Sequence, residues 1–494
     1  MNGMASTLER FEVAARARRS AREAWFFPLL DASLFALAFW CTRWAVAYYS
    51  VEEALPPVLL GHMSADERPW IYAALTLVAV GTFWKLGHYA RRRPFWLEVG
   101  DVLSVLGVMA LIDAASLFLS RTEMSRHWFL ANWGFLVIAI PLTRMAAKHA
   151  LMALGAWRRP TVIVGIGPNA VDAAAALQSE PMLGFEPIAF LVPPGSDAPR
   201  YLKVEEEELP VLNTLPWPSL LPPELGTPHV VIALELGEAD RHTSLVEQIA
   251  LASRSVDIVS PIRGLPVATA SVTHFFSHDV LALRLHNNLA SAWNRGVKRA
   301  FDLVMASILL VVLLPLFAWI ALRVRDTGRG VVFGHRRIGR RGEPFTCYKF
   351  RTMVPDAEEK LRELLERDPD RRREWEERHK LESDPRITPI GRFLRQTSLD
   401  ELPQLWNVLR GDMSLVGPRP VVSEELARYG DNLPYYFECT PGLTGLWQIS
   451  GRNDVDYRRR VHLDCWYVKN WSLWYDLVIL LKTIPIVVLG RGAY

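Results

Sequence analysis

Two adjacent carboxylates, Asp400 and Glu401, lie in a stretch of the chain with many cations around them. The segment 384–422 reads DPRITPIGRFLRQTSLDELPQLWNVLRGDMSLVGPRPVV. Ser398 and Glu401 have the spacing of a capping box, which predicts a helix with Asp400 in its first turn. Free amide donors and the helix dipole would favour negative charge there, keeping a carboxylate ionised or helping to hold a phosphate. An ordinary helix cap would leave the same spacing. What distinguishes this stretch is the set of cations supplied by separate segments: Lys349, Arg351, Arg392, Arg395 and Arg419, the last held between Pro418 and Pro420. An Asp–Glu pair can divide labour, with Asp400 attacking phosphorus as nucleophile and Glu401 helping to hold Mg²⁺, which would neutralise a diphosphate and polarise its leaving group. Without cations, a carboxylate approaching a phosphate anion meets Coulomb repulsion, so the acids and the basic residues form one hypothesis.

The elements that must position these residues read as membrane and α/β sequence. The chain has 494 residues, half of them hydrophobic, with 18 Trp and 21 Phe, which excludes a disordered chain or a small disulfide scaffold. A net charge of +3 gives no case for nucleic acid. Cys41, Cys347, Cys439 and Cys465 are too scattered for a structural zinc site and fit soluble parts facing the cytosol. After a basic, cytosolic N-terminus (1–24), four apolar segments (25–48, 69–90, 95–119 and 128–147) predict a four-helix transmembrane bundle over 25–150. Asp31, Asp101 and Asp113 interrupt them and call for partners inside the bundle. The basic N-terminus, the acidic first loop, Lys85 with Arg91–Arg93, and Arg144 with Lys148 orient the bundle by the positive-inside rule, returning the chain to the cytosol. Residues 160–290 predict a cytosolic Rossmann-like α/β domain. Its Gly165-x-Gly167-x-x-Ala170 turn is a poor dinucleotide fingerprint, because FLVPPG stands where a ribose-binding acid belongs. The acidic run Glu205–Glu208 reads as a solvated loop.

The fifth apolar segment, 301–322, has basic residues at both ends and Pro315 inside it. Proline kinks a helix, and basic flanks place both ends on the same side, so a re-entrant helix bent at Pro315 is expected rather than a crossing. Residues 466–489 predict interfacial helices on lipid or helices packed on the catalytic core. The charged stretch 356–380 predicts a solvated helical excursion broken at Asp368–Pro369. Asp456, Asp464 and His462 read as structural residues before catalytic ones.

The ordered segments KRAFD (298–302), YKFRTM (348–353), SLDELPQLWN (398–407), VGPRP (416–420), PGLTGLWQ (441–448) and Gly451-Arg452 resemble the bacterial sugar transferases, the monotopic polyprenyl-phosphate hexose-1-phosphate transferases. The likeness covers about 295–494, and the preceding spans and α/β domain resemble the long form of that family. It implies a monotopic α/β catalytic domain with a re-entrant membrane helix, Asp400 as nucleophile, and Glu401 as its partner in holding Mg²⁺. Lys298, Arg299, Lys349, Arg351, Arg392, Arg395, Arg419 and Arg452 are the candidate phosphate or substrate ligands. It further implies a ping-pong transfer of hexose-1-phosphate from a UDP-hexose to undecaprenyl phosphate in the bacterial inner membrane, on the cytosolic side, starting O-antigen, capsule or exopolysaccharide repeat units. The chain's ending, LGRGAY, looks more like the galactose-transferring members, with glucose as the alternative. A homodimer through the soluble domain is a weaker expectation. Two other classes compete. A non-catalytic membrane scaffold or sensor leaves the acid pair without a task. A membrane-bound nucleotide-sugar dehydratase or epimerase would need a working NAD site and a Tyr-x-x-x-Lys pair, which 160–290 lacks.

Overall fold

The computed structural model describes residues 23–52, 68–119, 126–196, 198–213, 228–253, 256–266, 269–274, 281–378, 381, 384–451 and 456–489. Two compact units divide near residue 263.

The first unit opens with four helices, Glu23–Glu52, Arg68–Lys85, Phe95–Leu119 and Arg126–Ala153. Three of them are long and apolar enough to cross a membrane, within Trp25–Ala45, Phe95–Leu119 and Arg126–Ala153. The predicted segment 69–90 is shorter than expected: its helix stops at Lys85 and a turn through 86–90 follows. At 1.5 Å per residue its 18 residues reach about 27 Å. All four helices nevertheless share one core, with Phe35, Phe39, Tyr72, Phe83, Leu106, Trp128 and Leu136 enclosed. The buried acids have the partners the sequence called for. Asp113 accepts from Arg68 (2.6 Å) and from the Trp133 indole (3.0 Å). Arg144 donates from Nε to Asp31 (3.0 Å) and from Nη1 to Glu98 (2.8 Å), and Lys148 also pairs with Glu98. Tyr89 donates to Asp31 (2.6 Å), and Arg93 pairs with Asp101.

A six-stranded sheet follows, with β1 (Arg159–Val164), β2 (Phe185–Val192), β3 (Tyr201–Val204), β4 (Glu207–Asn213), β5 (His229–Ile232) and β6 (Val256–Ile258) in the order β3-β4-β2-β1-β5-β6. All pairs are parallel except β3–β4, an antiparallel hairpin whose turn holds exposed Glu205 and Glu206. The chain runs outward from β1 in both directions, so a topological switch point lies between β1 and β5. Gly165 sits at φ +131°, where an added Cβ would come within 2.4 Å of the Ala233 carbonyl. The helix that follows, Pro168–Ser179, meets a carboxylate at its start: Glu235 Oε1 accepts from the Asn169 amide at 2.6 Å. A side-chain carboxylate of this chain thus occupies the start of that helix.

In the second unit, helices Ala292–Val312 and Leu314–Arg325 meet at 63° across Leu313, with Pro315 in the first turn of the second helix. Proline is tolerated there because a first-turn amide has no intrahelical acceptor. One side of the pair is buried at Ala306, Ile320 and Val324; Val304, Ile308, Val311, Val312, Leu314 and Leu322 are exposed. Beyond it come a β-hairpin (Val332–Ile338 with Pro344–Phe350), helix Pro389–Thr397, a 3₁₀ turn (Leu399–Glu401) and helix Gln404–Arg410. A short parallel pair (Ser414–Val416 with Gly442–Thr444) and helices Tyr457–Lys469 and Leu473–Leu489 complete the unit. The excursion forms as two helices, Ala357–Arg367 and Pro369–Arg378, broken where expected, with Asp368 accepting from the Asp370 (3.0 Å) and Arg371 (3.2 Å) amides. In the last helix Asp476 is fully buried, while Leu481 and Ile484 are exposed.

Candidate active site

Asp400 and Glu401 occupy the 3₁₀ turn, and the predicted capping box does not form. Ser398 has φ +57°, closes the preceding helix in the left-handed conformation, and makes no side-chain cap bond. A residue in that conformation ends a helix rather than starting one. The carboxylates are therefore presented at a sharp junction between two helices. The dipole argument for Asp400 falls with the cap. Burial, reinforced by the Glu401 charge, pushes its carboxyl up to about 6, against the opposing pull of Lys349 and Arg395.

Three contacts fix this geometry. Lys349, near the end of the second hairpin strand, places Nζ 2.6 Å from Glu401 Oε1 and 3.6 Å from Asp400 Oδ2. Burial works against its charge, but the two carboxylates together hold its pKa above the ordinary lysine value. Asn407, fully buried, fastens that strand to the helix after the acids: its Nδ2 donates to the Thr346 carbonyl (2.7 Å) and its Oδ1 accepts from the Tyr348 amide (3.0 Å). The helix before the acids is pinned to Thr352. The Thr388 amide (3.0 Å) and hydroxyl (3.2 Å) donate to the Thr352 carbonyl, and Arg395 Nε donates to the Thr352 hydroxyl (2.9 Å). Gly391 makes this approach feasible, since a Cβ there would lie 2.0 Å from the Thr352 carbonyl oxygen.

The remaining predicted ligands divide. Arg395 belongs to the acid cluster, and Arg392 lies exposed on the same helix. Arg419 stacks over the Trp447 ring at 5.3 Å. Three others are engaged by the fold itself, each against carbonyls or an acid. Lys298 is buried against Asp476 Oδ2 (2.7 Å), the Val416 carbonyl (3.0 Å) and the Tyr467 hydroxyl (3.2 Å). Arg299 donates to the carbonyls of Val408 and Leu409 at the end of helix Gln404–Arg410. Arg351 donates to the carbonyls of Gly330 (2.6 Å), Met353 (2.8 Å), Gly328 (2.9 Å) and Val324 (3.0 Å). In each case a basic residue meets carbonyls or an acid that the fold brings to it, and no sequence spacing signals that. Arg452 lies outside the described residues. Asp456 caps helix Tyr457–Lys469 by accepting from the Arg459 amide (2.7 Å), Asp464 is buried and accepts from the Tyr429 hydroxyl (2.8 Å), and His462 is exposed. Sequence reasoning gave no role to Asn407, a lone polar residue at a buried helix position.

The described residues hold no group of three or more His, Cys, Asp or Glu side chains able to enclose a metal ion. Asp400 and Glu401 are nevertheless hard oxygen donors, and both remain partly accessible, with side chains 13% and 31% exposed. Mg²⁺ is commonly held by one or two carboxylates with substrate phosphates and water completing its shell, so this pair fits a metal bound together with its substrate.

Known proteins share this sequence over long stretches. The chain is 44% identical to undecaprenyl-phosphate galactose phosphotransferase of Salmonella typhimurium, over 95% of this chain and 97% of that protein. It is 43% identical to UDP-galactose-lipid carrier transferase of Erwinia amylovora, over 85% and 87%. Against UDP-glucose:undecaprenyl-phosphate glucose-1-phosphate transferase of Escherichia coli it is 33% identical, over 54% and 56%. Residues 293–490 match the family described as bacterial sugar transferase, and the chain belongs to that family.

Proposed function

We propose that this protein transfers hexose-1-phosphate, with galactose as the hexose, from a UDP-sugar to undecaprenyl phosphate, releasing UMP and starting the repeat units of O-antigen, capsule or exopolysaccharide. The observation that carries the proposal is the Asp400–Glu401 pair bridged by Lys349 at the 3₁₀ junction. Galactose is favoured because two galactose-named relatives align over most of this chain at 43–44% identity, against 33% over about half for a glucose-named one.

An Asp400 carboxylate oxygen attacks the sugar-bearing phosphorus of the donor. The new oxygen–phosphorus bond forms as the phosphoanhydride bond to the nucleoside monophosphate breaks, and UMP leaves with that electron pair. A phosphate oxygen of the lipid then attacks the same phosphorus and releases Asp400 as a carboxylate, giving undecaprenyl-diphosphate-hexose. A phosphate monoester is largely ionised near neutrality, so the second step needs little help from a base. Lys349 holds both carboxylates in place and offsets their mutual repulsion. Arg395 adds positive charge on the helix before them. Glu401, with Asp400, would hold Mg²⁺, which supplies charge neutralisation for the donor diphosphate.

The membrane arrangement belongs to the same reading. The four N-terminal helices form a transmembrane bundle over 25–150, carrying a Rossmann-like domain over 160–290 that has no required nucleotide. The bent pair 292–325 enters the cytosolic leaflet and returns, as its basic flanks and its exposed apolar side chains suggest. Asp400 then works on the cytosolic side of the bacterial inner membrane, within a monotopic catalytic domain, 295–494.

The test uses the full chain in nanodiscs with Mg²⁺ and UDP-galactose radiolabelled in the sugar, without lipid acceptor. Label should be retained covalently on the protein, be lost in Asp400→Asn, and move to lipid when undecaprenyl phosphate is added. Failure to retain label or release UMP with both UDP-galactose and UDP-glucose would overturn the reading for these donors.

A further inference from the structure

Within the first unit, only residues 154–158 separate the last bundle helix from β1. They are fastened rather than slack. Gly155 stands at φ +70°, and the Ala156 and Trp157 amides turn back to donate to the Leu151 carbonyl (2.9 and 3.1 Å), so the Trp157 backbone is tied to the helix end. Its side chain reaches the other way: the indole nitrogen donates to the Met182 carbonyl (2.9 Å). Arg92, between the second and third bundle helices, takes the next two carbonyls, donating from Nη1 to Leu183 (3.0 Å) and Gly184 (2.6 Å). Two side chains from the end of the bundle thus grip three consecutive carbonyls just ahead of β2. Carbonyls that close a helical turn have no donor within it, and a guanidinium bonds them more strongly than a neutral donor would.

Rings enclose these bonds. The Arg92 guanidinium carbon lies 4.5 Å from the Trp157 ring centroid and 5.4 Å from that of Phe185. Phe27 of the first helix meets the Trp157 ring at 5.5 Å, and Lys148, which pairs with Glu98 inside the bundle, lies 5.7 Å from it. On the sheet side, Phe185 stacks on the His229 imidazole at 4.2 Å, and His229 Nε2 is 2.9 Å from Asp257 Oδ2. The contact therefore passes from the bundle into β2, β5 and β6. Arg159, Phe185 and His229 are the first residues of β1, β2 and β5, so the N-terminal edge of the parallel strands meets the bundle, and the switch point beside Gly165 lies at the opposite edge. Gly184 records how closely the parts approach: at φ +67°, an added Cβ would come within 2.4 Å of Arg92 Nη1 and 2.5 Å of the Trp157 carbonyl oxygen.

Parts of a chain joined by a short linker ordinarily move against each other unless the contact between them is large and apolar. Here a few directional, charge-assisted bonds inside an aromatic enclosure take that role. We propose that Arg92 and Trp157 form a rigid joint, with Arg92 as its latch, that holds bundle and sheet as one body and keeps the carboxyl edge of the sheet turned away from the bundle. The joint is independent of the reaction proposed for the second unit.

The experiment measures the distance distribution between two spin labels by pulsed electron spin resonance, on the full chain in nanodiscs, with labelled chain diluted in unlabelled chain so that only pairs within one chain are read. One label sits on Cys41, which is exposed while Cys347, Cys439 and Cys465 are buried. The other is attached through Glu206→Cys, in the exposed turn between β3 and β4. The parent should give one narrow distribution. Arg92→Met should broaden it about twofold, the freedom expected of a short linker without its clasp. Gly184→Ala, which blocks the seat of Arg92 from the sheet side, should do the same. Arg158→Met, at the exposed pair with Glu186, should leave the width unchanged. Thermal unfolding checks that each variant is folded; should Arg92→Met fold poorly, Gly184→Ala and Trp157→Phe, which deletes the bond to Met182 and keeps an aromatic ring, carry the test. A broad distribution in the parent, or an unchanged width in the folded joint variants, overturns the joint.

Discussion

Replacing Asp400, the proposed nucleophile, should make the metal-free protein more stable, in a pH-dependent way. Asp400 carries a carboxyl whose pKa is raised from 3.8 to about 6, mainly by burial. Above pH 6 the group is ionised in both folded and unfolded chains, and the folded state bears the full cost of burying the charge. Below pH 4 it is neutral in both and the cost is gone. An acid with a raised folded pKa therefore destabilises at high pH, and the penalty disappears as pH falls from 6 through 4. Each pH unit corresponds to 1.36 kcal/mol, so the penalty at neutral pH is about 3 kcal/mol. Asp400→Asn removes it while keeping the size of the side chain. For a unit of this size, 1 kcal/mol moves the midpoint by roughly 2–4 °C, so a gain of up to about 6–12 °C is expected at pH 7.5, shrinking toward zero by pH 4. The assay is thermal unfolding of the full chain in nanodiscs containing EDTA, parent against variant, across that pH range, following the transition of the catalytic unit. Adding Mg²⁺ should raise the parent more than the variant and narrow the gap at pH 7.5, because the cation supplies the charge the buried acid lacks. A stability difference that is flat with pH, or that grows on acidification, would refute the reasoning.

Other perturbations probe the positioning contacts. Lys349→Met removes the cation bridging Asp400 and Glu401, at 3.6 and 2.6 Å; covalent labelling by the donor should fall at least tenfold at pH 7, measured as an initial rate. Gly391→Ala forces a Cβ against the Thr352 carbonyl at 2.0 Å. Overpacking of this kind costs about 1–3 kcal/mol, so the unfolding midpoint should drop and labelling should fall with it, because the shifted helix carries Arg395 and leads into Asp400. In the first unit, Arg144→Met leaves Asp31 and Glu98 buried with fewer partners. Removing one member of a buried ion network costs about 3–5 kcal/mol, and the variant should lose thermal stability while Arg158→Met, at an exposed pair with Glu186, stays within about 1 kcal/mol.

Much of the architecture could be read in the sequence because it follows from local rules. Pro315 inside an apolar run predicts a bend, and the two helices separate at Leu313, just ahead of the turn that contains the proline. Asp368–Pro369 predicts a break, and Asp368 caps the helix that follows. What could not be read depends on the fold bringing distant residues together. A lysine before a long apolar helix and an arginine beside a chemistry-bearing motif look like phosphate ligands; what they meet depends on which carbonyls and acids the fold sets against them, as with Lys298 and Asp476, 178 residues apart. Asn407 was missed for the same reason: no spacing shows that the fold sets it against Thr346 and Tyr348. The capping box failed for a local reason that spacing does not encode, the left-handed backbone of Ser398.

The site also explains why a buried carboxylate suits the proposed chemistry. Two adjacent acids and one lysine carry a net charge of about −1 when all are ionised, and the donor diphosphate is itself anionic. Attack at phosphorus requires these like charges to meet. At 4 Å, two unit charges repel by about 4 kcal/mol at an effective permittivity of 20, so cations beyond Lys349 are needed at the point of contact. Arg395, on the helix before the acids, is one such positive group. Bonding to phosphorus also discharges Asp400 in its poorly solvated place, because the electron pair leaves with UMP. The burial that raises the pKa of Asp400 thus works in the same direction as the reaction.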